Sequence, residues 1–161
     1  MLQALLSERI PIRNLPTIME AITDYYQTTK EPEILAEYVR MSLKRQITNM
    51  YRDQNNRITV FTIDPTIEQT LTDSVQNTKQ GLMFITDPVF SEKLVKRVGK
   101  AMDKLSIAGL TTICLCSPNI RLALKRLTEA AHPQLVVLSY NEVTNDVEIL
   151  SNDVVRLEDD N

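Results

Sequence analysis

A repeated grouping constrains the fold of this chain more than any other feature: an apolar run, then a capping residue, a proline and a helical pattern. It occurs at 58–65, at 82–88 and at 111–118. Nearly continuous apolar runs of this length are typical of strands buried on both faces of a parallel sheet. Because a capping residue and a proline follow each run, a helix is expected to begin there. The pattern predicts an α/β fold with a wholly or mostly parallel sheet flanked by helices.

The third copy of the grouping extends to 142 and predicts a strand, a helix and a second strand. Ser117 is the expected N-cap of the helix, and Pro118 is expected at its first position, where a missing N–H costs nothing. Pro133 would end the helix. The full prediction has strands at 58–63, 82–86, 111–116 and 135–140, a further edge strand near 147–150, helices at 65–76 and 88–105, and a loop at 77–81.

The first 56 residues contain no strand pattern. Their apolar spacing predicts a short helix at 1–10, a second at 15–27 capped by Asn14, and a long third helix at 32–51. The apolar face of the second helix, expected to point inward, comprises Leu15, Ile18, Met19, Ile22 and Tyr25 or Tyr26. We therefore divide the chain into a small helical subdomain, 1–56, and an α/β subdomain, 57–161. The acidic end, 157–161, is expected to fray.

Composition narrows the classes of function. The 161 residues suit one ordinary domain or two small ones, and no apolar run is long enough to span a bilayer. The N-terminus does not have the features of a signal peptide. A net charge of −3 disfavours non-specific binding to nucleic acid, which needs a basic face.

Motifs for catalysis or cofactor binding are missing from the sequence. The three glycines are scattered and form no phosphate-binding loop. Asp64 and Asp87 are interpreted as helix caps, and His132 as a structural residue at a helix end. Cys114 and Cys116 are interpreted as buried thiols within a strand rather than as metal ligands or a disulfide. We therefore expect no cofactor, no metal and no enzymatic activity.

Three alternatives stay open. A small α/β enzyme or nucleotide-binding domain is possible, because acid–base pairs form in space rather than in sequence. A helix-turn-helix could present Arg40, Lys44 and Arg45 to phosphate, although acidic residues on the same helix argue against it. A series of basic residues is interpreted as a solvated helix face, or else as a docking face for an acidic partner: Lys93, Lys96, Arg97, Lys100 and Lys104.

Four stretches, in order, resemble one protein family. Residues 5–20, LLSERIPIRNLPTIME, are similar to the LLxExVSIRDLxTIxE stretch of the FlhA/LcrD family, with Pro11, Asn14 and Pro16 as departures. Residues from Val39 to Ile47 resemble the family's VRxxLxRxI helix, and Asp64–Glu68 resembles its DPxxE turn. The fourth match is SPxxR at Ser117–Arg121, followed by VLSYNEV at 137–143.

The family comprises export-gate proteins of flagellar and virulence type III secretion. The resemblance implies that the chain is a C-terminal cytoplasmic fragment, whose helical part is the third subdomain and whose α/β part is the fourth. It further implies a nine-membered ring on the cytoplasmic face of the bacterial inner membrane, attached to the membrane only through an N-terminal domain outside this chain. Such a ring receives export substrates, chaperones and other export-apparatus proteins, without catalysis. The residues expected at ring or partner contacts are Arg13, Asn14, Arg40, Arg45, Arg121, Asn141 and Glu142.

Overall fold

The structure is a computed structural model that describes residues 1–158. The chain divides into two compact units. The helical unit consists of Met1–Asn56 together with Asn141–Val147, which we call the return segment. The α/β unit consists of Arg57–Tyr140 and the chain from Glu148 onward. The sequence-based division had assigned the return segment to the α/β part. The expected fraying concerned 157–161, of which the last three residues lie outside the described part of the chain.

The helical unit contains four α-helices: α1 Leu2–Ser7, α2 Leu15–Tyr25, α3 Pro32–Ser42 and α4 Lys44–Tyr51. Asn14 caps α2 as predicted, because its side chain accepts the N–H of Thr17 at 3.4 Å. Tyr25 and Tyr38 stack α2 on α3, with ring centroids 4.2 Å apart. The buried apolar side chains of this unit are Leu5, Ile10, Ile18, Ala21, Leu35, Ala36, Val39, Leu43 and Ile47.

The predicted long helix at 32–51 is wrong in one respect, because it is two helices. α3 ends at Ser42, and Leu43 leaves helical geometry with φ −95° and ψ 14° before α4 begins. No proline or glycine marks this break. Apolar residues predicted to face inward also differ. Leu15 and Met19 are 49% and 57% exposed, although they continue the apolar stripe of α2.

The strands of the α/β unit are β1 Arg57–Ile63, β2 Val75–Thr78, β3 Gly81–Phe84, β4 Ile113–Cys116, β5 Val136–Ser139 and β6 Glu148–Val155. Four of them form a parallel sheet in the order β5-β4-β1-β6, which confirms the predicted fold class. The helices of this unit are α5 Pro65–Asp73, α6 Pro88–Ile107 and α7 Arg121–Glu129, and a 3-10 turn follows β5 at Tyr140–Glu142. All four side chains of β4 are buried, as expected for a central strand.

Helix caps at two strand ends are as predicted. The side chain of Asp64 accepts the N–H of Thr66, and that of Asp87 accepts the N–H of Val89 at 2.8 Å. The predicted start of α7 is wrong, since Ser117 and Pro118 lie in a turn and the helix begins at Arg121. The N–H of Ile120 donates to the carbonyl of Ser117 at 3.2 Å, which closes that turn.

The predicted strand at 82–86 exists but does not join the parallel sheet. β3, Gly81–Phe84, pairs antiparallel with β2, Val75–Thr78, in a separate two-stranded sheet. Gly81 has a φ of +113°, which favours glycine at this end of the hairpin. Arg126 of α7 holds the hairpin, because its guanidinium donates to the carbonyl of Leu82 at 3.1 Å and lies 4.9 Å from the centre of the Phe84 ring.

Candidate functional site

A buried ion pair joins α3 to the return segment within the helical unit. The guanidinium of Arg40 donates to both carboxylate oxygens of Glu142, from Nε and NH2, at 2.8 Å each. Arg40 is 2% exposed and Glu142 1% exposed. A third donor of Arg40, NH1, reaches Glu8 at 3.4 Å. Bidentate geometry of this kind fixes both position and orientation, so the pair sets where the return segment lies against α3.

Thr48 of α4 provides a second attachment for the return segment. Its hydroxyl donates to the carbonyl of Glu142 at 3.3 Å and accepts the N–H of Thr144 at 3.0 Å. Beside this cluster, burial is the main cause that raises the pKa of the Tyr51 hydroxyl. The charge of Arg40 lowers that pKa, but by less than burial raises it. The return segment is therefore attached at two buried positions, through Arg40 and through Thr48.

An exposed ion pair completes the attachment at the far end of the segment. Arg45 donates to Asp146 at 2.9 Å, and both side chains are more than half exposed. The side chain of Asn56 donates to the carbonyl of Asp146. Solvent screens a pair of this kind, so we expect it to contribute far less than the buried pair of Arg40.

An open groove of about 560 Å³ lies on the helical unit beside this pair. Three of the residues expected at contacts line it, namely Arg13, Asn14 and Arg45. Two arginines and no carboxylate belong to the lining, and Asp146 pairs with Arg45 beside it, so Arg13 supplies most of the groove's positive charge. The side chain of Gln46 donates to the carbonyl of Pro11 at 2.8 Å and ties the groove's two walls together. The remaining lining residues are Thr17, Ser42, Leu43, Asn49 and Met50.

The other four expected contact residues are placed differently. Asn141 is exposed, whereas Arg40 and Glu142 are buried against each other. Arg121 belongs to the α/β unit and has no exposed surface, and its guanidinium donates to the carbonyl of Val137 at 3.1 Å. A side chain buried in this way cannot touch a partner directly. For Arg121 the structure therefore replaces the expected contact with a bond between α7 and β5.

Sequence reasoning missed Gln46, Thr17 and Asn49 as groove residues. They are small or medium polar side chains on helices, and nothing in the sequence distinguishes them from other solvated positions. Glu8 and Asp146 were also missed as ion-pair partners. A signal for Glu8 existed, because it lies in the first of the family-like stretches.

Two other family-like motifs meet at the carboxyl ends of the parallel strands. The carboxylate of Glu68 accepts the N–H of Ser117 at 3.2 Å, which joins α5, the helix after β1, to the turn after β4. Hydrogen bonds from Thr66 lower the pKa of Asp64, the bond from its hydroxyl more than the bond from its N–H. The nearby charge of Arg156 lowers this pKa further. Asp64 therefore occupies the N-terminus of α5 with a negative charge, and a phosphate at that position would be repelled.

Both cysteines are buried in β4, as predicted. They are free thiols with no exposed surface. Burial raises the pKa of the Cys114 thiol well above its usual value, with a smaller contribution from Cys116. A thiol with a raised pKa is a poor nucleophile and a poor metal ligand. Among residues 1–158, no group of three or more His, Cys, Asp or Glu side chains is arranged to hold a metal ion.

None of the helices in the described part of the chain combines the length and the apolar character that a membrane span requires.

Comparison with known proteins places the chain in a family. The FHIPEP family model matches residues 1–148. "Flagellar biosynthesis protein FlhA" of Bacillus subtilis (strain 168) is 40% identical over 97% of this chain and 23% of its own length. "Low calcium response locus protein D" of Yersinia pestis is 34% identical over 92% of this chain and 21% of its own length. The chain thus spans between a fifth and a quarter of the length of these relatives.

Solved structures share the fold. "Cryo-EM structure of nonameric EPEC SctV-C" superposes with a TM-score of 0.85 at 30% identity, over 96% of this chain and 46% of that one. "Structure of the Chlamydia pneumoniae CdsV and CdsO protein complex" also gives a TM-score of 0.85, at 28% identity, over 94% of this chain and 45% of that one. The family-like stretches, the fold and the family match agree, and we conclude that the chain belongs to the FHIPEP family.

Proposed function

We propose that this chain is a ring-forming and docking part of a type III secretion export gate, and that it is not an enzyme. Relatives are flagellar biosynthesis proteins, and one related cytoplasmic structure is titled as a nonamer. By analogy, the chain would lie on the cytoplasmic face of the bacterial inner membrane. Anchoring in the membrane would belong to other parts of a longer protein.

The helical unit is proposed to carry the contact between copies. The observation that supports this is the groove, because Arg13, Asn14 and Arg45 converge there from two separate family-like stretches. A closed ring needs a heterologous contact, in which one surface of each copy meets a different surface of the next. A positively charged groove of this size is a suitable recess for an acidic or amide-rich segment of the adjacent copy.

The buried residues Arg40 and Glu142 are proposed to support this contact indirectly, without touching the adjacent copy. Arg40 and Glu142 fix the return segment, and the return segment carries Asp146, which pairs with Arg45 at the groove. Asn141 is an exposed residue of the same segment and directly precedes Glu142. In this proposal only Arg13, Asn14, Arg45 and Asn141 touch a neighbour.

Reception of other proteins is proposed as the second role. A related structure is titled as a complex of CdsV with CdsO. We propose that this chain likewise takes part in receiving export substrates, chaperones or other apparatus proteins. Which of these it binds depends on surfaces that lie partly outside this chain, since the relatives are about four times longer.

Charge reversal in the groove tests the proposal. Arg13→Glu should weaken self-association at high protein concentration by at least about tenfold, because it places a carboxylate where the neighbour's acidic segment would bind. Sedimentation velocity over a concentration series measures the association. Secretion measured in the organism that carries the gene, with the same substitution, measures function.

Lys30→Glu is the matched control, because Lys30 is exposed on the same unit and does not line the groove. It changes the net charge by the same amount and should leave association unchanged. Circular dichroism should show both variants to be folded. Normal assembly and secretion with Arg13→Glu would remove the interface role from the groove.

A further inference from the structure

A line of five side chains runs along the exposed face of α6. Val89, Lys93, Lys96, Lys100 and Ile107 are all exposed. Val89 and Ile107 are 18 residues apart in the sequence. Since an α-helix has about 3.6 residues per turn, they lie about five turns and 27 Å apart on the same side of the helix. The three lysines fall between them on that side. We call these five residues the α6 face.

The apolar ends of the α6 face are more exposed than their residue types usually are. Ile107 is 87% exposed and Val89 is 61% exposed. A single exposed aliphatic side chain is common and needs no explanation. Here, however, two of them are aligned with a row of cations, one at each end. That arrangement combines anchoring positions with charges that can select a partner.

The borders of the α6 face differ in charge. On one side Lys104 donates to Asp153 of β6 at 2.7 Å, and Arg156 pairs with Asp64. Lys104 is therefore engaged within the unit. On the other side lie Glu92 and Asp103, both exposed. On the Lys104 side, Arg97, Lys104 and Arg156 line a recess together with Asp153 and Glu158, so the lysine stripe has a mixed-charge border on one side and an acidic border on the other.

We propose that the α6 face docks an acidic helical segment of a protein partner. The segment would place carboxylates opposite Lys93, Lys96 and Lys100. Two apolar side chains about 27 Å apart would contact Val89 and Ile107. This surface belongs to the α/β unit and is independent of the groove proposed as the contact between copies.

The charge distribution favours a protein over nucleic acid or a membrane. Phosphate-rich surfaces need a broad basic face, but the whole chain has a net charge of −3 and the stripe is bordered by Glu92 and Asp103. Those two carboxylates would repel a phosphate array, whereas an acidic helical segment can place its carboxylates opposite the three lysines and uncharged side chains opposite Glu92 and Asp103. The two apolar residues are too few and too far apart for insertion into a bilayer.

A designed peptide tests the proposal on the full chain. The probe is a fluorescent helical peptide with glutamates facing one side and two leucines on that side, 18 residues apart to match Val89 and Ile107. Fluorescence anisotropy measures its dissociation constant. A second peptide of the same composition has its leucines moved to the opposite side. We expect the first peptide to bind at least about tenfold tighter than the second, and binding to weaken as salt is raised.

Two sets of variants locate the binding. Lys93→Glu, Lys96→Glu and Lys100→Glu together should weaken binding of the matched peptide by at least about tenfold. The control carries Lys30→Glu, Lys44→Glu and Lys79→Glu, which are exposed and change the net charge equally. It should weaken binding less than about threefold. Val89→Ser with Ile107→Ser should abolish the preference for the matched peptide.

Three results would overturn the proposal. The first is equal loss in both lysine variants, which would show non-specific attraction only. The second is equal affinity for the two peptides, which would remove the role of Val89 and Ile107. The third is tighter binding to phosphatidylglycerol vesicles or to single-stranded DNA than to the matched peptide, which would assign the stripe to a phosphate surface.

Discussion

At the scale of single residues, Arg40 has the most consequence for the helical unit. It is a fully charged side chain that is 2% exposed, and it is compensated by Glu142 and Glu8. Two charges taken out of water are costly, and only good geometry offsets that cost. The two bonds of 2.8 Å provide such geometry. Removing one partner should therefore lower the stability of the fold more than replacing both charges with apolar residues.

The first prediction concerns this pair. Arg40→Met should lower the free energy of unfolding by about 3–5 kcal/mol, because Glu142 would stay buried without its cation. Urea unfolding followed by circular dichroism measures the change. Arg45→Met is the matched control, since it removes an arginine from the exposed pair with Asp146, and we expect a much smaller effect.

A double variant separates the pair from the packing around it. Arg40→Met combined with Glu142→Leu removes both buried charges, and it should recover a large part of the stability lost in Arg40→Met alone. If the double variant were as unstable as the sum of the two single ones, the loss would come from packing rather than from an uncompensated carboxylate.

At the scale of elements, α6 packs against His132, which follows the end of α7, so closely that a side chain at Gly99 would be crowded. A Cβ placed on Gly99 would lie 3.0 Å from Cε1 and 3.2 Å from Nε2 of His132. The Nε2 atom of His132 lies 2.9 Å from the carbonyl of Val95, within hydrogen-bonding distance. The absence of a side chain at Gly99, inside this 20-residue helix, leaves room for the imidazole of His132.

The second prediction follows from that contact. In a helix interior, alanine is favoured over glycine by about 1 kcal/mol. Gly99→Ala should bring no such gain in the natural chain, because the ring of His132 must move away from Val95. In a His132→Ala background the gain of about 1 kcal/mol should appear. A double-mutant cycle of thermal unfolding measures the coupling, and the same effect in both backgrounds would show that the contact is not tight.

Local chemistry explains which elements could be predicted from the sequence. Asn14, Asp64 and Asp87 each precede a helix, and a cap needs only neighbours within three residues. The break at Leu43 and the start of α7 were missed, because no local residue forces either of them. The hairpin was missed as well: β2, Val75–Thr78, has a mostly polar sequence, and Arg126 holds the hairpin from 44 residues away.

The candidate site divides in the same way. Arg13, Asn14 and Arg45 belong to family-like stretches of the sequence, and all three line one groove. The partner of Arg40 lies 102 residues further along the chain, and nothing in the sequence indicates that pairing. The burial of Arg121 could not be predicted from the sequence either, because arginine is usually exposed.

At the scale of the whole molecule, the question is how much surface remains for association. Stable interfaces bury roughly 1,200–2,000 Å² in total. Apolar residues buried in the core of the helical unit are not available for association; they include Leu5, Ile18, Leu35, Val39 and Ile47. Its exposed apolar side chains are Leu2, Leu6, Leu15, Met19, Tyr26 and Met50. Leu15 and Met19 were expected inside, so the free apolar surface is larger than the sequence suggested.

The last prediction is that this chain by itself is nonetheless mostly a monomer at low micromolar concentration. The groove proposed to bind a neighbouring copy is open, and a net charge of −3 on each copy adds weak repulsion. Contacts through a longer chain would supply the rest, because tethering raises the effective concentration of neighbours to about the millimolar range. Light scattering over a concentration series should give one chain mass at low micromolar concentration and association only near millimolar concentration. A stable nonamer in the dilute samples would show that the exposed apolar residues of α1 and α2 already suffice to hold neighbouring copies together, without any contribution from the remainder of a longer protein.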